Sequence, residues 1–240
     1  MSPVRLSNAA GAPARQAGAA TTMNFLNIML SIQNCNSLNV SSLNRNTYTK
    51  TTAISNLGAD IVFLSDMRLN NKHKKIVDIF RTDYRLFYNS SKAKRGVGIL
   101  VKNSINMTVI STFQDAEENI LLLHCTINNN EIVLGAIYGP NDNNMEFFRD
   151  LNRGLSSIPR IPIMLGGDWN ATMSALPTNH NLDIVNMREI PSRLRTEEII
   201  SLCNHFDLID PFRVSNPLLR DYTYEPHGVV RHNRSRIDFF

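Results

Sequence analysis

Cysteine is scarce in this sequence. Its three residues, Cys35, Cys125 and Cys203, lie far apart and have no metal-ligand spacing. That sets aside a disulfide scaffold or a zinc module and favours a reducing compartment. Long apolar runs are missing too: stretches such as 61–64 and 161–165 are far too short to span a bilayer. No secretory hydrophobic region follows Met1, so no membrane association is expected. There is no internal repeat. Neither sign of charge dominates, with 25 Lys+Arg against 21 Asp+Glu for a net +4. Such a balance permits a polyanionic partner without requiring one. What is present, 42% hydrophobic and 19% charged residues over 240 positions, excludes wholesale disorder and allows a sizeable core.

Residues 1–22 differ from the rest. They are Ala, Gly, Ser, Thr and Pro, with Arg5 and Arg15 as the only charges. Such a segment cannot bury enough apolar area to offset its ordering entropy, so a disordered tail is expected, followed by one domain over 23–240. From Asn24 onward, apolar runs alternate with helical patterns. Strands are predicted at 60–64, 84–88, 97–102, 107–112, 120–127, 132–138 and 161–165, with a first apolar run at 25–32 and a last strand beginning near 235. Helices are predicted at 48–57, closed by Gly58, at 142–155 and at 193–206. Strands and helices mixed in this way indicate an α/β layered sandwich.

Asn34, Asp66, Tyr138, Asp168 and Asn170 each sit at or just past the end of an apolar strand. If those strands run in one direction, their polar ends gather along one rim, where α/β folds place ligands. Two carboxylates there would supply hard oxygen ligands for Mg²⁺ without a closed cage. Gly166-Gly167 allows a tight turn, and Asp168-Trp169-Asn170 sets carboxylate and amide on one side of an extended chain. Taken singly, Asp66 is more often a helix cap or turn residue than a ligand, Asp168 a loop former, and Tyr138 a core aromatic above Gly139-Pro140. The set of five at corresponding strand ends is what points to a site.

Several blocks occur in a recognisable order: Asn34-Cys35-Asn36-Ser37-Leu38-Asn39, Leu64-Ser65-Asp66-Met67-Arg68-Leu69, Ile137-Tyr138-Gly139-Pro140-Asn141, Gly167-Asp168-Trp169-Asn170, Tyr222-Thr223-Tyr224 and Ser235-Arg236-Ile237-Asp238. From about Asn24 to Phe240 the chain resembles the endonuclease–exonuclease–phosphatase superfamily. More narrowly, it resembles the apurinic-endonuclease-like domain of non-LTR retrotransposons. The resemblance implies a two-sheet, deoxyribonuclease-I-like α/β sandwich and a Mg²⁺-dependent enzyme, with Mn²⁺ as a possible substitute. It would nick double-stranded DNA in the nucleus, or act in the cytoplasm, to leave a 3′-hydroxyl for a linked reverse transcriptase. Asp66, with Asp168, would hold the metal. Asp168 and Asn170 would orient the attacking water, and Asn34 and Tyr138 would contact the scissile phosphate. Thr223 would touch the DNA backbone and Asp238 would support the catalytic histidine. Asp66 stands where the family has glutamate, one methylene longer. The histidine of the family's S-D-H block is expected beyond Phe240, which implies a domain incomplete at its C-terminus. Two alternatives are another phosphodiesterase or repair nuclease of the superfamily, and a DNA-binding fragment without activity.

Charge is unevenly spread. Positions 68–102 hold ten Lys/Arg against Asp78 and Asp83, whereas 115–150 hold seven acidic residues against Arg149. The basic zone, including Lys94 and Arg95, suits a phosphate backbone, although a solvated face has the same composition. DNA affinity of this chain should therefore fall steeply between low and physiological salt. Replacing Lys74, Lys75, Lys94 and Arg95 together by Ala should flatten that response in a fluorescence-anisotropy titration.

Overall fold

The structure, a computed structural model, describes residues 4–5, 29–34, 51–69, 80–92, 94–173, 182–185, 193–223 and 234–240. Two five-stranded sheets are stacked face to face. The first contains β1 (Val4–Arg5), β2 (Met29–Asn34), β3 (Ile61–Ser65), β4 (Tyr84–Asn89) and β5 (Val97–Lys102), in the order β1-β2-β3-β5-β4. The second contains β6 (Met107–Gln114), β7 (Ile120–Ile127), β8 (Asn130–Tyr138), β9 (Ile163–Asp168) and β12 (Asp238–Phe239), in the order β12-β9-β8-β7-β6. Each sheet has one parallel pair, β2 with β3 and β8 with β9, and its other pairings are antiparallel. A small ladder joins β10 (Ile184–Val185) to β11 (Arg234–Ser235).

The layers follow from residue alternation. Along β3, Ile61 and Phe63 face the second sheet, while Val62 and Leu64 face outward. Along β8, Leu134 and Ala136 face inward and Val133 and Ile137 outward. That period of two, apolar on both faces, marks strands buried on both sides. The outer face of the second sheet is covered by α1 (Met145–Ser156) and α2 (Arg193–Phe206), through Phe147, Phe148, Leu151, Leu155, Ile199 and Leu202. Helix α1 starts at Asn144, whose side chain accepts from the Glu146 amide at 3.0 Å. A short α3 (Pro211–Ser215) follows α2 and is capped by Asp210. The outer face of the first sheet, including Tyr84 of β4, packs on Ile54, Ala59 and Phe80. Gly58, at φ +64°, ends the helical segment before β3 as the sequence predicts.

The α/β sandwich expected from the sequence is thus present. Of the expected tail over 1–22, only Val4–Arg5 is described. These two residues pair with Leu30 and Met29, taking up the edge of β2; the rest of that segment lies outside the described residues. At the opposite end of the second sheet, β6 has a bulge between Val109 and Ser111 and leaves Ile110 half exposed.

Phe63 is fully buried between the sheets and meets Phe240 edge-on, with ring centroids 5.7 Å apart. Phe63→Ala should lower unfolding free energy by about 3–5 kcal/mol, read from urea denaturation.

Candidate active site at the mouth between the sheets

Three strand ends set polar side chains in one row. Tyr138 of β8 lies opposite Asp168 of β9, and Asp168 lies opposite Asp238 of β12. Directly opposed residues share a face, here the inner one, which continues the series Leu134, Ala136, Tyr138. Across the gap, the first sheet contributes Asp66, just past β3. Asn34 ends β2 opposite Ser65, at the same end of that sheet. The expectation of one rim on one sheet is therefore corrected. The polar ends line the mouth between two sheets, because each sheet supplies a single parallel pair.

Electrostatics ties the two sides together. Burial chiefly raises the pKa of the Tyr138 hydroxyl, and both Asp66 and Asp168 raise it further. One phenol thus feels both carboxylates. The positive charge of Arg68 and the side chain of Asn141 pull its pKa the other way. Asp66, Arg68, Lys94, Arg95, Tyr138 and Asn141 are among the residues that line a cleft of about 390 Å³. Beside it, the loop carrying Lys94 and Arg95 is tied down. The carboxylate of buried Glu118 accepts from the amides of Ser91 and Lys92 and from the Ser91 hydroxyl. The Ser90 hydroxyl accepts from the Leu69 amide at 2.9 Å and donates to its carbonyl at 3.0 Å.

Behind the row, two turns cross in close contact. The Gly139 amide donates to the Asp168 carbonyl at 2.7 Å, and a Cβ on Gly139 would lie 2.2 Å from the Trp169 carbonyl oxygen. Only glycine permits that approach. Asn170, at φ +50°, donates its backbone N–H to Asp168 Oδ1 at 2.9 Å and its side-chain amide to the Gly139 carbonyl at 2.8 Å. Its amide therefore holds the crossing together and fixes the Asp168 carboxylate. Buried Arg195 of α2 donates to the Pro140 carbonyl from beneath.

Thr223 has a role that the sequence did not suggest. Its hydroxyl accepts from the amides of Ile237 and Asp238, both at 3.1 Å, and donates to the Asp238 carboxylate. These bonds hold it against the start of β12. Strand β12 is further anchored by Arg236. Its buried guanidinium bonds Asp183, at 2.9 Å, and Asp210, while Arg213 also reaches Asp183. Reading from the sequence missed Arg68, Arg195 and this ionic cluster. The Asp-x-Arg spacing of 66 and 68 carries no signal of the first, since alternate residues share a side only in an extended chain and both of these have positive φ.

The donor set fits a divalent cation. Asp66 offers hard oxygens at the open cleft, with buried Asp168 next to Tyr138 of its lining, and a cationic guanidinium already sits on both oxygens of Asp66, at 2.7 and 2.8 Å. Among the described residues no three His, Cys, Asp or Glu side chains form a cage. Mg²⁺ commonly binds through one or two carboxylates and keeps its waters.

A model of the Endonuclease/Exonuclease/phosphatase family matches residues 33–240, and the chain belongs to that family. By family it is a hydrolytic enzyme of the nuclease and phosphatase kind, and nucleases of this family generally use divalent metal ions. Solved structures share the fold. An AP endonuclease from Archaeoglobus fulgidus is 17% identical, with a TM-score of 0.60 over 88% of this chain and 84% of that one. The 3′ phosphatase NExo from Neisseria, bound to a product DNA hairpin, is 17% identical, with a TM-score of 0.63 over 88% and 84%. The endonuclease domain of TRAS1, a telomere-specific non-LTR retrotransposon, is 17% identical, with a TM-score of 0.57 over 80% and 77%.

Burial pushes the Asp238 carboxyl up to about 6, although the bond from Thr223 pulls the other way, and its Oδ1 has no hydrogen-bond partner among the described residues. In the unfolded chain this group titrates near 4. The folded state therefore binds the proton more tightly, and stability is lost as pH rises from about 4 through 6, by up to about 3 kcal/mol. Asp238→Asn should remove that loss. Urea denaturation at pH 4.5 and 7.5 should show the variant gaining on the parent at the higher pH; an equal difference at both would contradict the assignment.

Proposed function

We propose that this chain is the metal-dependent endonuclease domain of a non-LTR retrotransposon protein. In this reading it nicks double-stranded DNA and leaves a 3′-hydroxyl for an associated reverse transcriptase. The observation that carries the reading is the row Tyr138–Asp168–Asp238 facing Asp66 across a mouth bordered by Lys94 and Arg95. The order of the Tyr-Gly-Pro-Asn and Ser-Arg-Ile-Asp blocks favours the retroelement type, and the fold, which the TRAS1 domain shares, is compatible with it.

Asp66 and Asp168 would hold Mg²⁺, which when bound supplies Lewis-acid stabilisation of charge developing on the phosphate. The protein's own groups do the rest. The basic side chains of Lys94 and Arg95 attract and orient the DNA backbone. The Tyr138 hydroxyl, kept protonated by burial and by two carboxylates, is a hydrogen-bond donor for a phosphate oxygen. Asp168, held by the Asn170 amide, orients the attacking water, and Asn170 keeps the crossing rigid at that point. Asp238 presents a buried acceptor beside Asp168.

The test is relaxation of supercoiled plasmid in Mg²⁺, with and without EDTA. Open circles that a polymerase can extend from the nick are expected. Asp168→Asn should cut the rate by about 10²-fold or more while leaving DNA binding in place. Nicking that survives EDTA, or termini that cannot be extended, would refute the reading.

A further inference from the structure

Asp66 and Arg68 share an uncommon stretch of backbone. Both have positive φ, 53° and 51°, on either side of buried Met67. Non-glycine residues hold that conformation only where their surroundings fix it, and such sites concentrate where function needs a particular geometry. Here the Met67 and Arg68 amides donate to the carbonyls of Gly96 and Arg95, at 2.9 and 2.5 Å. The result is a fork: Arg68 Nε and Nη2 donate to the two oxygens of Asp66. The partners are unequally placed. The Asp66 side chain is 7% exposed and that of Arg68 41%. Asp66 is held, and Arg68 is free to leave toward the cleft it already lines with Lys94 and Arg95.

We propose that Arg68 is the resident counter-ion of Asp66, displaced by the divalent cation and released into the cleft, where its guanidinium takes a substrate phosphate. The inference rests on reading the cleft as a metal-dependent phosphodiester site. A guanidinium and a divalent cation compete for the same two oxygens, and their like charges disfavour joint occupancy. Once off the carboxylate, the fork matches two phosphate oxygens as well as it matched Asp66. Metal and DNA then help each other to bind, and by linkage the coupling is reciprocal.

The test is Mn²⁺ binding by calorimetry to the full chain, its Arg68→Ala and Asp66→Asn variants, alone and with a phosphorothioate duplex that resists cleavage. Arg68→Ala should bind Mn²⁺ about fivefold tighter or more. It should also lose the gain in Mn²⁺ affinity that the duplex gives the parent. Unchanged or weaker Mn²⁺ binding by a folded Arg68→Ala protein overturns the inference, provided Asp66→Asn abolishes binding; the metal-site reading then stands. Mn²⁺ binding that survives Asp66→Asn overturns both. If Arg68→Ala does not fold, Arg68→Lys, which keeps the charge without the fork, should still bind Mn²⁺ more tightly than the parent, and equal affinity there refutes the displacement.

Discussion

Parallel pairing of β8 with β9, in the register that sets Tyr138 against Asp168, is the constraint from which the candidate site follows. Parallel strands bring their C-terminal ends to one edge, so the chain must turn there twice in a small space. The two turns cross in contact, and Gly139 is the residue that lets them. Asn170 then locks one turn to the other through its side-chain amide. Antiparallel β12 adds Asp238 to the same row. Had β8 slipped by one residue, Ile137 would take the place of Tyr138 and the inner face would lose its polar end.

Much of the architecture was legible because the central strands β3, β5, β7 and β8 are buried on both faces. Runs such as 97–102 and 120–127 are short, β-branched and closed by polar residues, and the structure returns them with those bounds. Helix 193–206 was legible for a related reason, its apolar residues recurring at helical spacing. The strand at 161–165 was less so. The observed β9 begins after Pro162 and runs on through Gly166, Gly167 and Asp168, because pairing with β8 and β12 overrides the weak strand preference of glycine. The candidates Tyr138, Asp168 and Asp238, singled out in the sequence, do fall in one row, but the partners of the candidate residues could not be read there. Arg68 on Asp66, Thr223 on Asp238 and Arg195 on Pro140 join positions brought together by tertiary packing or by an uncommon turn, which periodicity does not report.

Charge is used in two ways in this domain. At the mouth, Lys94 and Arg95 face an open cleft, where their interactions are screened by solvent and salt. Behind it, Arg236 is sealed among Asp183, Asp210 and the rings of Phe212 and Phe239, with centroids 5.1 and 5.4 Å from its guanidinium carbon. A buried charge of that kind is strongly destabilising when one partner is removed and the other left unpaired. The cluster fastens the 182–185 segment, the start of α3 and β12 to one another. It thereby fixes the backbone from which Asp238 projects.

The bulge in β6 bears on how the domain can meet other proteins. A straight outer strand offers a row of free amides and carbonyls on which a further strand can grow. Between Val109 and Ser111 the spacing of that row is broken and the local twist is increased. Extension of the second sheet across β6, by another copy or by a neighbouring segment, would meet a mismatch halfway along. A larger assembly built on this domain is therefore better joined through side chains and loops than by continuing the sheet at that edge.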